Sequence, residues 1–151
     1  YGELQNAKTA AQAIVAARAN QAIETVNDLK AALQRYAPRG KENKYFAQVF
    51  QALRIEVNDE MGALQEFLMQ SAEVLKPQGR LVVMSYHSLE DRLVKNFIGK
   101  GKFHGEVEKD LFGNDLKPLQ SVTRKPIEAS AEEIAQNSRA RSAKLRVAEK
   151  L

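Results

Sequence analysis

Cysteine is absent from the 151 residues, which excludes disulfides, a thiol nucleophile and thiolate zinc sites. Histidine is nearly absent as well. With only His87 and His104, a metal centre would rest largely on carboxylates, and none is expected. The apolar run Leu81 to Met84 is far too short to cross a bilayer. Nothing near Tyr1 resembles a signal peptide, so a cytoplasmic protein with no membrane partner is expected. An initiator Met is also missing: the chain opens at Tyr1 in sequence of helical character, and a fragment is expected. What is present is ordinary globular composition, 44% hydrophobic and 28% charged, enough for one domain or a domain with a helical appendage. A domain of this size buries roughly 70% of its unfolded surface, so its core needs no covalent staple.

The charge is uneven. The whole chain carries a formal +4, and Asn137 to Leu151 alone, with Arg139, Arg141, Lys144, Arg146 and Lys150 against Glu149, carries the same +4. Such a cluster favours a polyanionic partner, although a moderately basic balance is also common among plain soluble proteins.

Hydrophobic spacing divides the chain into two styles. Residues 3 to 19 are alanine-rich, with Leu4, Ala7, Ala11, Ile14 and Val15 on one helical face. Thr25 followed by Asp28 has the form of a capping box, and Val26, Leu29, Leu33 and Tyr36 give the stripe of a second helix that Pro38 and Gly40 end. Phe46, Val49, Phe50, Leu53 and Val57 mark a third helix over residues 44 to 57. Asn58 is the expected cap of a fourth, whose inner face is Met61, Leu64, Phe67, Leu68 and Leu75. Pro77-Gln78-Gly79 stops it.

From Gly79 the pattern changes. Arg80 to Tyr86 is a β-rich run without alternation, as expected of a strand covered on both faces. Ser88 opens a fifth helix with Leu89, Leu93, Val94, Phe97 and Ile98 inside. Helix, loop, buried strand, loop, helix is the rhythm of a parallel α/β sheet. Phe103 to Lys109 and Leu116 to Ile127 flank the turn Phe112-Gly113-Asn114-Asp115 and are expected to pair antiparallel. Ser130-Ala131-Glu132-Glu133 signals a short helix, and Ser142 to Ala148 alternates as a strand. A phosphate-binding first half is missing from this inventory. Gly99-Lys100-Gly101 is no substitute, because it follows a helix instead of joining a strand to a helix.

Two segments carry candidate chemistry. Ser85-Tyr86-His87-Ser88-Leu89-Glu90-Asp91-Arg92 sits where a strand ends and a helix begins, the place where open α/β sheets bind ligands. The same residues also read as helix punctuation: Ser88 as N-cap with Asp91 three residues on, Glu90 and Asp91 neutralising first-turn amides, and Arg92 pairing with a carboxylate. Both readings stand. In the second segment, Asn137 to Arg146, arginine forks suit phosphates, while a solvated strand face that discourages edge-to-edge association explains the same charges. Arg124-Lys125 before Pro126 reads as a solvated loop, and Tyr45, Phe46 and Phe50 read as core.

Four strings then point one way. Phe50-Gln51-Ala52-Leu53-Arg54-Ile55-Glu56-Val57-Asn58-Asp59-Glu60, the Ser85 to Arg92 segment with Tyr86 where the family has Phe, Thr123-Arg124-Lys125-Pro126-Ile127, and Arg139 to Glu149 resemble signatures of the MraW/RsmH family of ribosomal RNA cytosine-N4 methyltransferases. They occur in family order across nearly the whole chain. The resemblance implies transfer of a methyl group from S-adenosylmethionine to the exocyclic amine of a cytidine in small-subunit ribosomal RNA.

For the fold it implies α/β: the C-terminal part of a class I (Rossmann-like) methyltransferase sheet with an antiparallel edge, preceded by part of an all-helical insert. Residues 1–57 correspond to the end of the insert and the return helix, and residues 58–151 to the C-terminal part of the methyltransferase domain, with strands near 80–86, 116–127 and 142–149. The family's Gly-rich cofactor loop, acidic ribose ligand and Asp-Leu-Gly-Val-Ser-Ser motif have no counterpart here, so no cofactor ligand carries over. What carries over is a catalytic set, Ser85, His87, Ser88, Glu90 and Asp91, bordering the target base, and an RNA-binding set, Arg92, Arg124, Lys125, Arg139, Arg141, Lys144 and Arg146. The chain alone is expected to be inactive, and to form a homo-oligomer through an open sheet edge and unpartnered helices. Two rivals remain at this level: a non-catalytic RNA-binding or assembly module, and a purely structural piece.

Overall fold

The computed structural model describes every residue from Tyr1 to Leu151. The chain forms two compact units, Tyr1–Glu60 and Met61–Leu151.

The first unit is helical: α1 (Ala7–Asn20), α2 (Val26–Leu33) with a 3-10 turn over Gln34–Tyr36, and α3 (Glu42–Asn58). The Thr25 capping box forms as expected. Asp28 N–H donates to Thr25 Oγ1 at 3.2 Å, and Thr25 N–H donates to Asp28 Oδ2 at 2.8 Å, which fixes where α2 starts. Its core is Ala10, Ala13, Leu29, Leu33, Tyr45, Phe46 and Val49. The stripe on α1 is rotated from the expected one. Ala10 and Ala13 are buried while Ala7, Ala11 and Val15 are exposed, because a helix rich in alanine has too little contrast between faces for spacing alone to orient it. Gly2 is required: a Cβ there would lie 2.5 Å from the Gln48 carbonyl oxygen.

Asn58 does not cap a fourth helix. It is the last residue of α3, and Asp59 ends that helix in the left-handed region with φ 47°; α4 (Glu60–Val74) starts at once. Asp tolerates this conformation better than most non-glycine residues, so the Asn58-Asp59 pair serves as a stop signal more than a start.

In the second unit, β1 (Arg80–Ser85), β2 (Leu119–Ser121), β3 (Ile127–Glu128) and β4 (Lys144–Lys150) form one sheet. The order is β1-β4-β2, with β3 also on β4, and every pairing is antiparallel to β4. It follows that β1 and β2 run parallel to each other with β4 reversed between them. The helix α5 (Ser88–Lys100) makes the crossover that two parallel strands require. Leu68 and Ala72 of α4 and Val94, Phe97 and Ile98 of α5 pack with Leu81, Val83, Leu119 and Ala148 in one core.

Two expectations fail here. Strand β1 alternates strictly, with Leu81, Val83 and Ser85 buried and Val82 and Met84 about half exposed, at 55% and 53%. Helices cover only one face, although Leu-Val-Val-Met offers apolar side chains to both. The expected hairpin is reduced to one bridge, Lys109 to Asp115. Asp110 closes the loop instead, its Oδ1 accepting from Phe112 N–H and Asn114 N–H at 2.8 Å each. Leu119 and Ile127 lie on β4, which lets Leu119 bury completely in the core. The short helix α6 (Ala131–Gln136) is capped by Ser130, as the sequence indicates, and a 3-10 turn over Ser138–Ser142 leads into β4.

Candidate functional site

The register between β1 and β4 sorts their side chains. Leu81 faces Ala148, Val83 faces Arg146 and Ser85 faces Lys144, so these six share the helix-covered face. That face is apolar at the start of β1 and polar at its end. Met84 faces Leu145 and Val82 faces Val147 on the other side. On β4, therefore, Lys144 and Arg146 lie on the covered face beside Ala148, and Leu145 and Val147 on the open one.

What makes this possible is a carboxylate from α5. Arg146 Nε and Nη2 donate to Asp91 Oδ1 and Oδ2 at 2.7 and 3.1 Å, and Lys144 Nζ stands 3.9 Å from Asp91 Oδ2. The Asp91 and Arg146 side chains are 14% and 13% exposed. Bidentate hydrogen bonding from Arg146 holds the Asp91 carboxyl below the usual carboxylate range; burial opposes this, and the charges of Arg146, Lys144 and Lys95 add to it.

The junction from β1 into α5 is capped by His87, one residue before the expected Ser88. Its Nδ1 accepts from Glu90 N–H at 3.4 Å, while Glu90 Oε2 accepts from Tyr86 N–H at 2.9 Å and His87 N–H at 3.3 Å. Glu90, not Asp91, completes the box, which frees Asp91 to reach across to β4. Because Nδ1 is the acceptor, the ring proton belongs on Nε2. That nitrogen is buried, lies 3.3 Å from Glu90 Oε1 and has no aligned hydrogen-bond partner. His87 Nδ1 is thus committed to the helix cap.

The remaining residues divide by position. Ser85 is buried and its Oγ donates to the Lys144 carbonyl oxygen at 3.4 Å. Ser88 and Arg92 are exposed on the first turns of α5, Arg124 and Lys125 on the loop between β2 and β3, and Arg139 and Arg141 on the 3-10 turn. The two candidate segments meet around a cavity of about 550 Å³ beside the open sheet face, lined by Met84, Tyr86, Ile127, Arg139, Ala143 and Leu145 among others. Sequence reasoning missed the His87–Glu90 box, legible as a polar residue three before a Glu, and the Asp91–Arg146 pair, 55 residues apart and without a local signal. No helix in the chain is long and apolar enough to cross a membrane.

The model of the MraW methylase family matches residues 1–151, the entire chain. The chain belongs to the MraW methylase family. Among curated relatives in this family, the ribosomal RNA small subunit methyltransferase H of Cytophaga hutchinsonii is 61% identical over 150 residues, covering 99% of this chain and 50% of that protein. The proteins of the same name from Amoebophilus asiaticus and Parabacteroides distasonis are 56% and 52% identical, covering 99% and 100% of this chain and 48% and 50% of theirs. The chain thus spans about half the length of the curated MraW-family relatives it matches.

Proposed function

We propose that the chain is the C-terminal portion of an S-adenosylmethionine-dependent enzyme that methylates the N4 amine of a cytidine in small-subunit ribosomal RNA in the cytoplasm. The observation that carries this reading is the 61% identity to a ribosomal RNA small subunit methyltransferase H, sustained over 99% of the chain. The α/β arrangement with β4 reversed between two parallel strands agrees with the edge of a class I methyltransferase sheet, and Tyr1–Glu60 agrees with part of a helical insert.

The residues present do not fit the cofactor. The strand-to-helix junction from β1 into α5, Ser85-Tyr86-His87-Ser88, contains no glycine, and the N–H groups of Tyr86, His87 and Glu90 are already taken by Glu90 and His87 side chains. Bound S-adenosylmethionine would supply an electrophilic methyl group, and its ligands belong to parts of the enzyme beyond these residues. The chain alone is therefore inactive.

What these residues do is hold the base and its leaving proton. A cytosine amine is a weak nucleophile because its lone pair is delocalised into the ring, so acceptors must be aimed at its N–H groups as charge develops. Glu90 Oε1, beside His87 Nε2, is the acceptor aimed at the amine, while Glu90 Oε2 is held by the backbone N–H groups of Tyr86 and His87. Ser85, Ser88 and Asp91 position the pair through the end of β1 and the first turn of α5. Tyr86 and Arg139, on the 550 Å³ cavity, suit a base and its phosphate, and Arg92, Arg124, Lys125, Arg141, Lys144 and Arg146 extend the basic surface for RNA.

A second reading, a non-catalytic RNA-binding module, has one observation in its favour: His87, Glu90 and Asp91 are all committed to capping or to Arg146. Mass spectrometry of ribosomal RNA nucleosides after incubation with the complete enzyme and cofactor separates the two. N4-methylcytidine is the expected product; RNA binding without any methylated cytidine overturns the enzyme reading. Micromolar cofactor binding by this chain alone in calorimetry overturns the assignment of the cofactor ligands elsewhere.

A further inference from the structure

On the helix-covered side of the sheet, past the apolar core, a small hollow of about 160 Å³ opens between α5, β2 and β4. Its walls are Lys95, Ile98, Gly99, Ser121, Arg124 and Arg146. Three of the six are cations, contributed by a helix, a loop and a strand, and none of the six is acidic. Arg146 is half spent: its Nε and Nη2 bind Asp91, leaving Nη1 uncommitted. Lys95 and Arg124 are exposed and make no ion pair or hydrogen bond in the protein. Arg146, Lys144 and Lys95 act on the single carboxylate of Asp91, and Arg124 adds a further cation on the wall of the hollow, so cations outnumber the carboxylate. Like charges gathered round a concave wall repel each other and concentrate counter-ions.

We propose that this hollow is an oxyanion subsite that takes one phosphodiester of the RNA backbone, with Lys95 and Arg124 as its two free cations and Arg146 as its anchored floor. It rests on the reading of RNA as the partner and adds a residue, Lys95, that no family string marks. The division of labour follows from burial. Asp91 fixes Arg146 so that its fork is preorganised at little further entropic cost, while the exposed cations give up hydration and mobility only when the anion arrives. The walls hold no aromatic side chain on which a base could stack, and guanidinium with ammonium is the donor chemistry for phosphate. Gly99 leaves the wall open, since a Cβ there would meet nothing within 4 Å.

The test uses the whole chain, with inorganic phosphate and a short single-stranded RNA as separate probes. NMR of the backbone amides reads the phosphate arm, and fluorescence anisotropy across a salt series reads the RNA arm. Phosphate should shift residues around Lys95 and Arg124. Lys95→Gln and Arg124→Gln should each weaken RNA binding roughly fivefold, whereas Lys76→Gln, an exposed lysine on the turn before β1, should not.

The double variant Lys95→Gln/Arg124→Gln decides whether the two cations share one phosphate. A shared contact lowers the slope of log affinity against log salt by about 0.7, and two independent contacts lower it by about 1.4. Gly99→Glu, which places a carboxylate in the hollow while improving helix propensity, should abolish the phosphate shifts without lowering the melting temperature. A slope loss of about 1.4, or a double variant equal to Lys76→Gln, overturns the subsite. Phosphate shifts in a chain whose RNA slope is unmoved by the double variant overturn its assignment to the RNA backbone. A wild-type chain that binds phosphate but no RNA overturns the RNA reading itself.

Discussion

Replacing Asp91 by Ala removes the only carboxylate that neutralises the cationic end of the covered sheet face. Arg146 is 13% exposed and donates two short hydrogen bonds to Asp91, so Asp91→Ala strands a guanidinium that water reaches poorly. Breaking a buried ion pair from one side costs about 3–5 kcal/mol. The slightly open rim here favours the lower end, about 3 kcal/mol. For a unit of this size, about 1 kcal/mol moves the melting temperature by 4–8 °C, so the Met61–Leu151 transition should fall by roughly 12–24 °C. The paired replacement Asp91→Leu/Arg146→Met removes both charges at similar volume and should recover most of that loss, because the cost lies in the uncompensated charge and not in the absent attraction.

Acid provides an independent check of the same pair. Arg146 lowers the Asp91 pKa in the folded state, so this contribution to stability is fully present above the unfolded carboxyl value of about 3.9. It is lost as pH falls through the lower, folded value. Wild-type stability should therefore decline below about pH 4, with a shallower decline in Asp91→Asn. Thermal melts of the three variants with an acid series on wild type and Asp91→Asn measure all of this. Asp91→Ala melting within 2 °C of wild type, or identical acid limbs, would refute the reasoning.

Three further outcomes are expected. His87→Asn keeps an N-cap and should hold wild-type stability, while His87→Ala should cost about 1 kcal/mol; if the imidazole also handles the base, His87→Asn in the complete enzyme loses turnover at unchanged melting temperature, which single-turnover kinetics reads. Thr25→Ala should destabilise the Tyr1–Glu60 unit by about 1 kcal/mol and Thr25→Ser by little, as urea unfolding followed by helical circular dichroism would show. The edge of β1 away from β4 is unpaired and Val82 and Met84 are half exposed beside it, so light scattering should find a homo-oligomer that Val82→Lys/Met84→Lys disperses; a wild-type monomer would contradict this.

Much of the local structure was legible because its causes are local. The Thr25 box, the Pro77-Gln78-Gly79 stop, the start of β1 at Arg80 and the Ser130 cap each depend on groups within a few residues. The errors share the opposite character. Arg80 to Tyr86 is apolar on both sides, so its sequence cannot say that helices cover only one. Leu119 has an apparent partner across a short turn and a better one in β4, 31 residues from it at Lys150, and the choice is made by the core that Leu119 completes.

The basic strand separates the two levels most clearly. Alternation of Lys144 and Arg146 with Leu145 and Val147 determines by itself that this segment is a strand with one charged and one aliphatic face, and the strings around it determine the family. Ordinary patterning would turn the charged face to water. Only the tertiary structure decided otherwise, because a charge can sit on a covered face when a carboxylate meets it, and Asp91 is brought there by a helix whose start depends on His87 and Glu90. Pairing energy of that kind depends on distance in space, which no spacing along the chain records.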